Sequence, residues 1–211
     1  MAHHRHGTAP PTRWEETVTG DDWDFYVARF DGLVANGDDL EGEARFIDAL
    51  APRGARILDG GAGTGRVAAA LTRMGHLAIG VDRDAGLLAH ARANHPGVPY
   101  LTCDLLELDA GVLADEGFDG PFDVVALPGN VLVYVAPGTE REVLRAAYTL
   151  LASGGRLALG FATDREYAVG DLDADLTAVG FVLEHRFATW HLDPWVDGAP
   201  WQVSVARRRP D

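Results

Sequence analysis

The chain has no lysine. All 18 of its basic residues are arginine, set against 32 aspartates and glutamates. Without lysine no side-chain Schiff base can form, which excludes pyridoxal-phosphate chemistry of the usual kind. The phosphate-gripping lysine of a P-loop is missing as well. A single cysteine, Cys103, rules out an internal disulfide and a cysteine-rich zinc site. It suits a reducing compartment. No apolar run approaches the ~18 residues a membrane helix needs, and Met1 to Trp14 lacks the apolar stretch of a secretory signal. The expectation is a soluble, cytoplasmic protein with no membrane partner. The net charge of −14 repels nucleic-acid phosphate at long range and argues against nucleic acid as a partner.

What is present reads as one domain, since the 211 residues fall near the ~150 typical of one. Residues 1–20 carry little apolar content and read as a flexible tail, in which His3, His4 and His6 offer at most weak metal binding; no metal site is expected. Residues 21–52 read as two N-terminal helices. Trp23, Tyr26, Val27 and Phe30 fall on one face of the first. Asp38 and Glu41 form a capping box for the second, which Pro52 and Gly54 stop. From residue 53 to 211, short apolar runs alternate with helical patterns. The runs are Arg56 to Asp59, Leu77 to Val81, Pro99 to Cys103, Phe122 to Leu127 and Gly155 to Phe161. Thr139 and Glu142 suggest another capping box. Phe181 to Leu192 and Trp201 to Arg207 then form a terminal hairpin. The expected fold is α/β: a Rossmann-like, doubly wound, mostly parallel seven-stranded sheet, with a C-terminal antiparallel strand and an N-terminal helical cap.

The first run leads into Asp59-Gly60-Gly61-Ala62-Gly63-Thr64-Gly65. Gly61, Gly63 and Gly65 permit tight turning and close approach of backbone to a ligand. In a doubly wound sheet this crossover is where a nucleotide-like ligand binds. The spacing Gly63-x-Gly65-x-x-Ala68 also fits a dinucleotide site, with Asp82 near the expected position of its ribose-binding acid. A nicotinamide-dependent oxidoreductase is therefore an alternative, as is a non-catalytic cofactor-binding module. Electrostatics favours a different ligand. Asp59, Asp82 and Asp104 end three successive strands and should gather at one sheet edge. They would repel a pyrophosphate and welcome a ligand with a ribose, an adenine and a cationic centre.

These three motifs, in order, resemble class I S-adenosylmethionine-dependent methyltransferases, and among them small stand-alone bacterial members. The similarity covers about residues 38 to 161. It implies S-adenosyl-L-methionine as cofactor and S-adenosyl-L-homocysteine as product. It places Asp59, Gly61, Gly63 and Gly65 in the nucleotide motif and Asp82 on the ribose hydroxyls. Asp104 and Leu105 would lie at the adenine, Arg83 beside it, and Asn130 near the methionine end.

The acceptor side is less marked. Leu127-Pro128-Gly129-Asn130 is not the Asn/Asp-Pro-Pro-aromatic motif used on planar amino groups, and no Pro-Cys nucleophile exists. A small-molecule acceptor remains, methylated by in-line displacement and catalysed mainly by positioning. Tyr134, a few residues past the fourth strand, is the candidate to face the transferred methyl. His191 is the second candidate catalytic residue, among Trp190, Trp195 and Trp201. These tryptophans either close over a flat acceptor, cover the sheet edge, or form the contact of a homodimer. His185 reads as a core or interface histidine, Arg29 as a partner of the methionine carboxylate or of a surface acid, and Arg207 to Arg209 as a solvated end.

Overall fold

The computed structural model describes residues 9–211, the side chains of residues 21, 31 and 34 apart; the three tail histidines lie outside the described residues. The elements run α1 (Arg13–Thr17), α2 (Asp21–Asn36), α3 (Gly42–Leu50), β1 (Arg56–Gly60), α4 (Arg66–Arg73), β2 (Leu77–Asp82), α5 (Ala85–Asn94), β3 (Tyr100–Thr102), α6 (Ala110–Asp115), β4 (Phe122–Leu127), α7 (Val131–Tyr134), α8 (Glu140–Leu150), β5 (Leu151–Ala162), α9 (Val169–Val179), β6 (Phe181–Phe187) and β7 (Trp201–Arg208). The seven strands form one sheet in the order β3-β2-β1-β4-β5-β7-β6. The first five are mutually parallel, and β7 runs antiparallel to both β5 and β6.

Alternation along the strands divides the core into two layers. Ile57, Ala78, Val124, Ala126, Ala158, Val203 and Val205 face one side, where Ala44 and Ile47 of α3 and Val67, Ala70 and Leu71 of α4 cover them. Leu58, Ile79, Val81, Val125, Leu127, Leu157, Leu159 and Phe161 face the other, under residues from α6 to α9. Because helices cover both faces, the parallel strands are apolar almost throughout rather than every second residue. The chain winds outward from β1 in both directions, which opens a crevice at the carboxyl ends of β1 and β4.

Several local expectations change. Residues 12–17, expected within a flexible tail, form a capped helix: Thr12 caps α1, and Glu15 completes a capping box with it. The helix expected to open at Asp38 is α3, which starts at Gly42, and Asp38 does not cap it. Asp39 instead accepts the Glu41 N–H (3.1 Å) and holds Arg45. Thr139 is the N-cap residue of α8, but its side chain makes no capping bond; its hydroxyl donates to the Ala136 carbonyl (2.7 Å). The strand expected to reach Leu192 ends at Phe187. A bulge between Leu183 and His185 breaks its alternation and leaves both exposed. Arg207 and Arg208 are not a solvated end. They lie in β7, where Arg207 pairs with Glu184 and Arg208 donates to the Leu151 carbonyl (2.6 Å).

Phe161 is fully buried at the centre of the larger core layer, 5.7 Å from the Tyr167 ring. Phe161→Ala should cost ~3–5 kcal/mol of stability, read as a lower urea midpoint with an unchanged slope.

Candidate active site

The carboxyl ends of β1, β2 and β3 lie side by side, with Asp59 opposite Gly80 and Asp82 opposite Thr102. Each strand hands the chain to a turn whose backbone N–H groups need acceptors, and an acid supplies one each time. Asp59 Oδ2 accepts from Ala68 N (2.9 Å), one turn into α4. Asp82 accepts from Gly63 N through Oδ2 and from Asp84 N through Oδ1, both at 2.8 Å. Asp104 Oδ1 accepts from Leu106 N (2.8 Å).

The glycine turn between β1 and α4 tolerates no side chain at two points. Gly61 has φ +72°, and a Cβ there would run into Val131. Gly65 has φ +78°, and a Cβ would strike the Tyr100 hydroxyl, which donates to the Gly65 carbonyl (3.1 Å). Only glycine suits such positions.

Burial governs the charge of two of the acids. Asp59 is fully buried, and this pushes its carboxyl up to about 7, against the opposing pull of the Ala68 N–H and the Arg66 cation. Its second oxygen, Oδ1, has no partner. Burial likewise raises Asp82 to about 6, opposed by the N–H groups of Asp84 and Gly63. Asp104 is held in an ion pair with Arg83 (2.8 Å).

These groups line one cavity of about 1150 Å³, which also includes Leu105, Asn130 and Tyr134. Ten of the eleven residues singled out as site candidates thus reach it or the turn that floors it. Asn130 also ties the ends of β4 and β5 together, its Oδ1 accepting from Ala162 N (2.9 Å). His191 is the exception. It is exposed, beside Gly42 and Arg45 of α3, in a separate depression with Phe46 and Trp190. The chain turns away at Phe187, so the hairpin carries His191 outside the cavity. The three tryptophans also separate: Trp190 packs on Phe46 (5.3 Å), Trp195 lies under Arg186 (5.8 Å), and Trp201 alone lines the cavity.

The N-terminal residues supply what the sequence reading missed. Arg83 bonds the Pro10 carbonyl (2.8 Å) and Glu15 (3.0 Å) as well as Asp104. Asp84 Oδ2 accepts both indole N–H groups of Trp14 (3.2 Å) and Trp23 (2.9 Å). Arg13 pairs with Glu140 (2.8 Å) and Glu166 (3.2 Å). Residues 10–23 thus form a strap beside the three acids, with Trp14, Tyr26, Phe30 and Tyr134 as an edge-to-face aromatic wall. Thr12-x-x-Glu15 was the available signal, a capping box that encloses Trp14. Arg29 reaches the cavity and forms no ion pair among the described residues, lying instead over Phe30 (6.0 Å).

A family model described as a methyltransferase domain matches residues 57–155. No curated protein matches the chain. Among solved structures, a TehB-like S-adenosylmethionine-dependent methyltransferase from Corynebacterium glutamicum is 34% identical, with a TM-score of 0.80 over 88% of this chain and 97% of that one. The CcbJ methyltransferase of Streptomyces caelestis is 21% identical, with a TM-score of 0.70 over 81% and 90%. An amino pentose methyltransferase from Micromonospora echinaspora, solved with S-adenosylmethionine bound, is 21% identical, with a TM-score of 0.65 over 87% and 96%.

The raised carboxyls have a thermodynamic sign. Asp59 and Asp82 hold protons in the folded state that the unfolded chain releases near pH 4. The stability linked to this is full below that pH and is lost as pH rises through about 6 and 7. Asp59→Asn removes one such group. Urea unfolding at several pH values should show wild-type stability declining relative to Asp59→Asn between pH 5 and 7.5. A difference that does not change with pH would contradict the assignment.

Proposed function

The chain belongs to the S-adenosylmethionine-dependent methyltransferases, and from that premise we propose that it methylates a small-molecule acceptor by in-line displacement, mainly through positioning. The observation that carries this reading is the cavity. At about 1150 Å³ it exceeds the ~300–1,000 Å³ that a single drug-sized ligand occupies. It has room for a cofactor and a modest acceptor together.

S-adenosylmethionine is the cofactor, and the residues present fit it. The glycine turn is a cradle that a Cβ would fill at Gly61 and Gly65. Asp59 Oδ1, a buried oxygen without a partner, suits a ligand that brings N–H donors or positive charge. We assign Asp82 to the ribose hydroxyls, Asp104 with Leu105 to the adenine edge, Arg83 to the flank of the adenine, and Asn130 to the methionine end. When bound, the cofactor supplies a methyl group already activated by its sulfonium sulfur. The protein's task is then to hold the acceptor in line and to keep water out. Trp14, Tyr26, Phe30 and Tyr134 supply an apolar wall for this. In this reading Tyr134 faces the transferred methyl and acts by contact rather than as a base. His191, outside the cavity, has no part in it.

The acidic chain and the aromatic wall favour a neutral or cationic small acceptor over a nucleic acid. Among the described residues no helix is long and apolar enough to cross a membrane.

Calorimetric titration should show micromolar binding of both S-adenosylmethionine and S-adenosylhomocysteine, weakened at least about tenfold in Asp82→Ala, the scale of a lost charged hydrogen bond. A panel of small amines, phenols and thiols, followed by release of S-adenosylhomocysteine, should reveal turnover, while duplex DNA and transfer RNA should not. In Tyr134→Phe turnover should fall less than about tenfold, because a base is not being removed. A loss of several orders of magnitude would instead make Tyr134 a proton acceptor.

A further inference from the structure

Tyr26 carries a hydroxyl that no protein group satisfies. Its ring is half-buried on α2, held edge-to-face by Trp14 on one side and Phe30 on the other, with centroids 5.0 Å away in each case. Two such contacts fix the direction of the hydroxyl. It lies over the glycine turn, where a Cβ on Gly63 would be 3.4 Å from it. The N–H of that same glycine is bonded to Asp82. Among the described residues the hydroxyl makes no hydrogen bond. Tyr26 lines the cavity, so this hydroxyl is free to bond a ligand seated there.

The groups facing it define its chemistry. The charges of Arg66 and Arg29 favour loss of its proton, and those of Asp82 and Tyr134 oppose it. Burial outweighs them all and pushes the phenol up to about 12. It therefore keeps its proton throughout the physiological range. It can donate one hydrogen bond and accept others, but it is no base.

We propose that Tyr26 is a cofactor-holding residue: its hydroxyl hydrogen-bonds the S-adenosylmethionine seated on the turn Gly61–Gly65, which makes α2 part of the cofactor site. This rests on the cofactor assignment made above. The motif that marks the cofactor site in the sequence begins at Asp59, so the proposal adds a contact from outside the matched domain. It also gives the strap a use. Trp14, whose indole N–H is tied to Asp84, is the ring that holds Tyr26 in place, and Asp84 follows the ribose-facing acid by two residues.

The test is Tyr26→Phe, which keeps the ring and its packing and removes only the oxygen. Calorimetric titration with S-adenosylhomocysteine should show binding weakened about five- to tenfold, the scale of one hydrogen bond, while the thermal midpoint of the ligand-free protein stays unchanged. S-adenosylmethionine should be weakened in the same proportion. If wild type binds and Tyr26→Phe binds equally well, the proposal is overturned and the hydroxyl faces the acceptor instead. If wild type binds neither compound, the cofactor assignment fails and this proposal fails with it.

Discussion

Where parallel strands stop at a common edge, backbone N–H groups of the following turns are left without strand partners, and a buried one must find an acceptor. This chain meets that constraint with carboxylates. Asp59, Asp82 and Asp104 each take an N–H from the turn or helix that follows or adjoins their strand. The rest of the site depends on this arrangement. It fixes the glycine turn against β2, concentrates negative charge at one point of the sheet, and leaves carboxylate lone pairs facing the cavity. Desolvation opposes it, so two of the three acids hold their protons more tightly than free aspartate does. A ligand that brings donors or positive charge relieves that opposition, which is why a structural necessity and a binding site coincide here.

The cavity is not made by the sheet alone. Its floor is the edge of β1, β2 and β4, while its wall comes from α2 and the strap before it. The strap is attached through polar contacts to residues that also belong to the floor: Arg83 and Asp84 hold Glu15, Trp14 and Trp23. Aromatic side chains provide area with few rotatable bonds, so a wall built from Trp14, Tyr26, Phe30 and Tyr134 can be both apolar and fixed.

The alternation of short apolar runs with amphipathic segments made the fold legible in the sequence, because only a parallel sheet covered on both faces buries such runs completely. The positions of Asp59, Asp82 and Asp104 at one edge followed from the same pattern. What was hidden depended on contacts far apart in the chain. The sequence around Arg13 looks polar, and only the positions of Glu140 and Glu166 give it somewhere to dock. His191 sits among tryptophans in sequence, but the turn after Phe187 takes it to another surface. The expected caps at Asp38 and Thr139 failed for a local reason: each side chain, or its neighbour's, found a competing hydrogen bond in the preceding loop.

The strap also fixes when the site can exist. Its residues precede the rest of the described fold in the chain, yet the ion-pair partners of Arg13, Glu140 and Glu166, lie 127 and 153 residues later. Closing loops of that length is slow compared with forming local helices. Three rings of the wall, Trp14, Tyr26 and Phe30, thus precede in the chain the residues that hold the strap, and a nascent chain that has built its glycine turn must still wait for its own far half before Arg13 can pair.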